Sequence, residues 1–207
     1  DSGLIFRLLS DGTYGVRVGS AYNNSEISIP ATFNDKAVTV ILESGFEGCA
    51  NLKTINIPDS IIKIEDSAFK DCTVLTGVVL PESLQSIGKN AFNNCTAITN
   101  ITIPANVNFI GAYAFYGTSL TSAVFENPYK WIPGSDSFSY TYTFNNQGST
   151  STVSSTYSIA DATKAANALT QSVEVLMDYF KSPLGNQYDK KTYTNKYWYT
   201  QDWVRIE

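Results

Sequence analysis

The sequence predicts a solenoid, in which coils of one repeated length stack so that each coil buries its apolar residues against its neighbours. The first observation is a 23-residue period, which recurs through Phe46, Phe69, Phe92 and Phe115 and through Cys49, Cys72 and Cys95. The second is an aliphatic-proline pair at the same spacing, found at Ile57-Pro58, Leu80-Pro81 and Ile103-Pro104. A fixed period of this length indicates one stacked array of short parallel strands.

Composition narrows the classes of partner. With 207 residues, 43% of them hydrophobic and 16% charged, the chain can bury a core and is expected to fold as a single body. The formal net charge of −5 disfavours a nucleic-acid partner, because phosphate binding needs a basic surface. No apolar run reaches the ~18 residues of a membrane-spanning helix, so no membrane insertion is expected within this chain.

The sequence contains no histidine, which is the commonest general base, partner of nucleophiles and transition-metal ligand. An enzyme would therefore need a pair of carboxylates in a cleft. The acidic residues Glu43, Glu65, Asp66 and Glu82 fall instead on expected turns, where carboxylates are usually solvated. We expect no catalytic residue, no cofactor and no metal site.

Residues 1–26 are predicted to form a hairpin that caps the amino-terminal end of the array. Strands are expected near 5–9 and 14–18, because two apolar runs flank Asp11-Gly12 and glycine allows the tight turn. After Pro30 the first repeat carries a five-residue insertion relative to later units. We expect this insertion to form an outward turn around Asn34-Asp35.

Residues 27–125 are predicted to form the array itself. In each unit a step such as Ile55-x-Ile57 has the period of a strand, so both isoleucines face the core while Thr54 and Asn56 face outward. The proline that follows has no amide donor and ends the pairing. Residues 66–71 are expected to form a turn of helix that places Phe69 in the core.

The three cysteines allow two interpretations. Strand-like coils place equivalent residues of neighbouring units about 5 Å apart, a distance at which a disulfide is conceivable. Equivalent side chains in a stack point in parallel, however, and a third cysteine would be left over. We therefore favour three buried free thiols.

Residues 126–207 are predicted to form an aromatic-rich carboxyl-terminal cap. An alternating strand is expected over 139–144, and the polar tract 145–156 that follows is expected to be a loop. An α-helix is expected near 161–181, where Asp161 can cap an apolar face formed by Ala165, Leu169, Val173, Leu176 and Phe180. The last aromatic stretch is expected to add one or two strands.

The repeat resembles the bacterial leucine-rich repeats of the BspA-like, or Treponema pallidum, type, whose units read roughly L-x-x-I-x-I-P-x-x-V-x-x-I-G-x-x-A-F-x-x-C. The third unit matches this pattern at Leu75, Val78, Leu80, Pro81, Leu84, Ile87, Gly88, Ala91, Phe92 and Cys95. The resemblance implies a leucine-rich repeat solenoid, a right-handed β/α superhelix with turns or short helices, an amino-terminal antiparallel hairpin cap and a carboxyl-terminal cap carrying one α-helix.

The same resemblance implies a non-catalytic, adhesin-like bacterial protein that is secreted or displayed at the cell surface, its signal or anchor segment lying outside this chain. A protein or extracellular-matrix ligand would bind the outward strand positions on the expected concave side. These candidates are Ser28, Thr54, Asn56, Val79, Asn100, Thr102 and Val124. They are small and neutral, and a hydrated strand face without a partner is the alternative interpretation.

A second hypothesis assigns carbohydrate binding to aromatic residues of the carboxyl-terminal cap, because exposed rings can cover the CH groups of a sugar. The candidates are Trp131, Tyr140, Tyr142, Trp198 and Trp203. More often, however, such rings form the core of a cap. The sequence leaves the identity of the ligand and the oligomeric state open.

Overall fold

The computed structural model describes residues 3–19, 23–126, 131–133, 137–146, 149–158, 187–188, 191–192 and 203–205. Within these residues the regular elements are short strands and turns, and no α-helix occurs. The amino-terminal strands are β1 (Leu4–Leu8), β2 (Tyr14–Val18), β3 (Glu26–Ser28), β4 (Thr32–Phe33) and β5 (Lys36–Ile41). The repeat strands are β6 (Thr54–Asn56), β7 (Lys63–Ile64), β8 (Gly77–Val78), β9 (Ser86–Ile87), β10 (Asn100–Ile103), β11 (Phe109–Ile110) and β12 (Ser122–Phe125).

Six further strands follow the repeats within the described residues. They are β13 (Trp131–Pro133), β14 (Ser137–Asn146), β15 (Ser149–Ser158), β16 (Gln187–Tyr188), β17 (Lys191–Thr192) and β18 (Trp203–Arg205). The α-helix expected near 161–181 lies outside the described residues, and so does Trp198.

Each coil contributes one strand to each of two stacks. The first stack, which we call the long sheet, has the order β1-β2-β5-β7-β9-β11-β18-β13, with β4 paired to β5. Its central strands run parallel from coil to coil. The second stack, which we call the front strands, contains the pairs β3-β6-β8 and β10-β12, all parallel. The solenoid predicted from the 23-residue period is confirmed.

The long sheet is extended at both ends. At the amino terminus β1 and β2 form the predicted antiparallel hairpin, one residue earlier than expected in β1, and β2 pairs parallel with β5. At the other end β18 pairs antiparallel with β11, and β13 pairs antiparallel with β18. The added strands take up the backbone groups that an open edge of the array would leave unpaired.

The insertion after Pro30 forms the predicted outward turn. It connects β4 to β5 through Asn34 and Asp35, whose φ values of 49° and 60° lie in the left-handed region that these residue types tolerate. Phe33 at the end of β4 stacks on Phe6 of the hairpin, with ring centroids 4.1 Å apart. The insertion thereby ties the hairpin to the first coil.

A column of stacked phenylalanine rings runs through the core. The centroid distances are 5.2 Å between Phe46 and Phe69, 5.1 Å between Phe69 and Phe92, and 5.3 Å between Phe92 and Phe115. All four side chains are buried. Each coil thus contributes one ring that has contacts only when its neighbours are in place, which makes the stack cooperative.

The segment 66–71, expected to be a turn of helix, is an irregular turn. Ser67 and Asp71 have φ values of 56° and 62°, which a right-handed helix does not contain. Every second backbone amide of this segment also donates to a carbonyl of the next coil, and not to a carbonyl within the segment. The three bonds, each 2.7 or 2.8 Å long, run from Ser67 N to Lys89 O, from Phe69 N to Ala91 O and from Asp71 N to Asn93 O. The backbone of each turn is therefore hydrogen-bonded to the next coil.

The polar tract 145–156 was expected to be a loop, and this expectation is wrong. Its larger part belongs to β15, which pairs antiparallel with β14 over ten residues of each strand. Serine and threonine make up most of β15, and its register places them opposite the β14 residues from Ser137 to Asn146. Threonine favours strands, and cross-strand pairing outweighs the polarity that suggested a loop.

The three cysteines are free thiols. Cys72 and Cys95 are buried, and each Sγ donates to a carbonyl of the preceding coil, namely Phe46 O and Phe69 O, both at 3.0 Å. Cys49 is half-buried, because it lies in the first coil and lines a cavity beside the amino-terminal hairpin. The interpretation as free thiols is confirmed, and burial is complete for two of the three.

Candidate functional site

The seven predicted binding residues all lie on the front strands or directly beside them, and all are exposed. Their sequence neighbours Ile27, Ile55 and Ile101 are buried, so inward and outward positions alternate as the strand period requires. The buried residues anchor each strand to the core. The exposed ones consequently occupy fixed positions on a surface of the solenoid.

Strand register and the 23-residue period arrange the outward positions in two rows that cross the front strands. One row contains Ser28, Asn56, Val79, Thr102 and Val124. The other contains Glu26, Thr54, Gly77, Asn100 and Ser122. The predicted set therefore holds the whole first row and two members of the second.

Glu26, Gly77 and Ser122 were missed by the sequence reasoning, although they belong to the second row. The signal was present, since Gly77 stands 23 residues before Asn100. The prediction chose positions by their side chains, and glycine has none. In the structure Gly77 matters through its missing side chain: a Cβ there would meet only Thr54 Cγ2, at 3.6 Å. The second row thus has an open gap at its centre.

Apart from Glu26 at one end, the two rows form a neutral surface of short side chains. Val79 is 79% exposed and Val124 is 51% exposed, values unusual for aliphatic residues in an otherwise well-buried array. Asn56 Nδ2 donates to Ser28 Oγ at 3.1 Å, which joins two coils on this face. Glu26 is the one titratable residue in the rows. Such a surface offers shape and apolar contact, with a single carboxylate at one end.

The two carboxyl groups with lowered pKa values, Glu47 and Asp11, do not belong to the two rows. The Lys70 ammonium, 2.7 Å from Glu47 Oε1, and then the Ser44 hydroxyl lower the pKa of Glu47. The Thr13 backbone amide, followed by the Thr13 hydroxyl, lowers the pKa of Asp11. Both carboxylates accept hydrogen bonds that hold turns in place, which is a structural role.

Two of the four acidic residues considered for catalysis have carboxylates that join neighbouring coils. Glu65 Oε2 accepts from the Glu43 amide at 3.0 Å, and Asp66 Oδ1 accepts from the Lys89 amide at 2.8 Å. Among the described residues, no group of three or more cysteine, aspartate or glutamate side chains is arranged to hold a metal ion. No helix in the described part of the chain has the length and apolarity to cross a membrane.

The aromatic candidates for sugar binding divide between two sheets. Trp131 lies in β13 and Trp203 in β18, and their register sets Trp131 opposite Arg205 and Trp203 opposite Pro133. Tyr140 and Tyr142 lie in β14, which pairs with β15 in a separate sheet. A sugar site built from these residues stays a prediction.

Several solved structures are similar to this chain. A leucine-rich repeat protein from Bacteroides capillosus has 34% sequence identity and a TM-score of 0.56, over 61% of this chain and 96% of that protein. A leucine-rich repeat protein from Bacteroides ovatus has 25% identity and a TM-score of 0.50, over 60% of this chain and 36% of that one. A leucine rich cell surface protein from Faecalibacterium prausnitzii shares the fold at 20% identity and a TM-score of 0.50, over 59% and 38%.

Family membership follows from the sequence and agrees with this fold. No curated protein matches the chain. The family model for the BspA type leucine rich repeat region matches residues 19–160 in six copies, a range that begins after β2 and covers the repeats and the β14–β15 pair. The chain therefore belongs to the BspA-type leucine-rich repeat family.

Proposed function

We propose that this protein is a non-catalytic interaction module that binds a protein or extracellular-matrix partner through the two rows of the front strands. The observation that carries this proposal is the contrast between the rows and their surroundings. The alternate residues of these strands are buried or, at Val78, half-buried in the core, whereas Val79 and Val124 remain exposed in the first row. Apolar groups held open on a rigid surface are typical of interaction sites.

The geometry of the rows supports binding in a second way. The side chains are short, so little rotamer entropy is lost when a partner covers them. The strands that hold them are fixed by buried residues on both sides, which preorganises the surface. A partner of complementary shape gains contact with the two valines and hydrogen bonds with Asn56, Asn100 and Thr102.

The family supports the class of function. Leucine-rich repeats present extended surfaces that generally serve protein interactions. One structurally similar protein is described as a leucine rich cell surface protein. We infer a location at the cell surface or outside the cell, and an adhesin-like role there.

The test is an array of extracellular-matrix proteins and glycans, probed with the wild type and two arginine variants. Thr102→Arg places a long charged side chain in the middle of the first row. Gln85→Arg makes the same change at an exposed position beside β9 of the long sheet. We expect Thr102→Arg to weaken binding to a matrix protein about tenfold or more, as a central clash at an interface does, and Gln85→Arg to have no effect.

Equal binding by both variants would place the site elsewhere. Retention of a glycan signal by both would favour the aromatic residues of the carboxyl-terminal cap. Circular dichroism of each variant checks that the arginine has not disturbed the fold, which both exposed positions should tolerate.

A further inference from the structure

The outer strand of the hairpin, β1, is the last strand of the long sheet at the amino-terminal end. It pairs with β2 on one side, and no described strand pairs with its other side. The hairpin therefore closes the first coil and leaves an edge of its own. At the opposite end the last strand, β13, has only three residues and contains Pro133, which has no N–H to offer a neighbouring strand.

Hydrogen bonds show which backbone groups of β1 face this edge. Leu9 N donates to Thr13 O at 2.9 Å directly beyond the strand, and the register of β1 with β2 is unbroken. Odd-numbered residues thus pair with β2, and the groups of even-numbered residues point the opposite way, because direction alternates along a strand. The N–H and C=O of Phe6 and Leu8 consequently point away from β2 and bond to no described residue.

The edge is also apolar on the side that faces the core. Leu4 and Phe6 are partly buried against the core, and the strand period puts Leu8 on the same side. Leu8 is 54% exposed, because no described strand lies beyond β1 to cover it. A strand added here would gain both backbone hydrogen bonds and apolar contact.

β1 has none of the features that usually prevent an edge strand from pairing with another chain. Its five residues, LIFRL, contain no proline, and its register with β2 has no bulge. Its single charged residue, Arg7, lies on the other side of the strand from the apolar row, together with Ile5. An edge of this kind favours pairing with a second extended strand.

We propose that β1 pairs antiparallel with β1 of a second copy of this chain, so that the two long sheets join across a two-fold axis. An antiparallel pair of identical strands is self-complementary, because each outward N–H of one strand meets a C=O of the other. With the axis at Phe6, the two Phe6 residues form a hydrogen-bonded pair, and Leu8 lies opposite Leu4 of the second copy. The apolar rows of both copies then form one continuous surface.

Two features of β1 favour this register. It overlaps all five residues of each strand, and it sets Arg7 opposite Ile5 of the second copy. With the axis at Arg7, the two Arg7 side chains would lie directly opposite each other, which is unfavourable. The interface leaves both rows of the front strands open to another partner. It is only one strand wide on each copy, so we expect a weak dimer that forms at micromolar or higher concentration.

Sedimentation equilibrium of the 207-residue chain over a roughly hundredfold range of concentration measures the dimer. Leu8→Lys puts a charge in the apolar row, at a position exposed enough to leave the monomer folded. Val79→Lys is the matched control, because Val79 is a more exposed aliphatic residue, at 79%, and lies beside the front strands. We expect Leu8→Lys to weaken dimerisation about tenfold or more and Val79→Lys to leave it unchanged.

Charge substitutions at Ile5 test the register. Ile5→Glu places a carboxylate opposite Arg7 of the second copy, whereas Ile5→Lys places a second cation there. We expect Ile5→Lys to dimerise severalfold more weakly than Ile5→Glu, and the addition of Arg7→Glu to Ile5→Lys should restore the dimer. Circular dichroism at a concentration where the wild type is monomeric checks that each variant keeps the fold.

A chain that stays monomeric over the whole range would overturn the proposal, and so would a dimer that Val79→Lys weakens and Leu8→Lys does not. Equal dimerisation of Ile5→Lys and Ile5→Glu would also contradict it. Thr102→Arg separates this interface from the proposed function: it should leave dimerisation unchanged while weakening binding to a matrix partner.

Discussion

The two stacks of strands in this solenoid differ in how completely they are closed. The long sheet continues from β1 to β13 without a break and has added strands at both ends. The front strands are interrupted, since β8 and β10 do not pair in the described structure, and no described strand pairs with the outer side of β3. Backbone pairing is therefore concentrated on one side of the array, and accessible surface on the other.

We infer from this difference that the long sheet mainly stabilises the fold and that the front strands carry the proposed binding surface. Substitutions in the long sheet, in the turns or in the phenylalanine column should be costly, because the turns are hydrogen-bonded to one another and the rings are stacked. The front strands need only their inward aliphatic residues, so their outward residues can change without loss of the fold. The first two predictions below test this separation by comparing one substitution on each side.

The largest effect is expected for Phe69→Ala. Phe69 is fully buried between two stacked rings. Its ring centroid lies 5.2 Å from that of Phe46 and 5.1 Å from that of Phe92. Its truncation should lower the free energy of unfolding by about 3–5 kcal/mol, measured by urea denaturation. Asn56→Ala on the front strands is the control and should cost almost nothing. Equal losses for the two variants would contradict the assignment of inward and outward faces.

A smaller effect is expected for a methyl group added to the turns. A Cβ on Gly111 would lie 2.3 Å from Lys89 N and 2.5 Å from Gly88 C, both backbone atoms of the preceding coil. Because backbone cannot rotate aside, Gly111→Ala should cost about 1–3 kcal/mol. The matched control is Gly77→Ala on the front strands, where the nearest atom is a methyl carbon at an ordinary 3.6 Å.

Thermal unfolding of both alanine variants provides the measurement. Gly111→Ala should lower the melting temperature, and Gly77→Ala should leave it close to that of the wild type. If Gly77→Ala proved as destabilising as Gly111→Ala, the front strands would be as tightly constrained as the turns. The two sides of the array would then not differ in their tolerance of substitution.

The sequence predicted the part of the fold that repeats. A position refilled at the 23-residue spacing by residues of similar size, such as Leu84 and Ile61, is buried in both coils because the same environment recurs. The outward rows followed from the same alternation. The conformation of the turns did not follow, because serine at position 67 carries no signal for its positive φ, which the bonds between coils impose.

The ends of the array were harder to predict, since nothing there repeats. The strand β15 contains mostly serine and threonine, and only its pairing with β14 makes it a strand. That no described strand pairs with the outer side of β3 depends on which stack the hairpin joins, which is decided by the pairing of β2 with β5 and not by residues of β3. Such features depend on contacts between segments that local patterns do not contain.

The effect that is smallest near neutral pH concerns the buried thiols of the core. A hydrogen bond with Cys49 favours the thiolate of Cys72, but the Cys95 thiol and burial outweigh it and raise the pKa of Cys72 from 9.0 to about 12. Below pH 9 the folded and unfolded chains both keep this proton. Between pH 9 and pH 12 only the unfolded chain releases it, so the free energy of unfolding should decrease as pH rises.

Cys72→Ala isolates this contribution from that of lysine and tyrosine. Alanine cannot ionise, so the stability of the variant should fall less steeply than that of the wild type over the same pH range, by up to ~1.4 kcal/mol per pH unit. Labelling with Ellman's reagent gives an independent measurement: without denaturant half-buried Cys49 should react before Cys72 and Cys95. Rapid labelling of all three thiols, or parallel pH profiles of the two proteins, would show that solvent reaches the core at these cysteines.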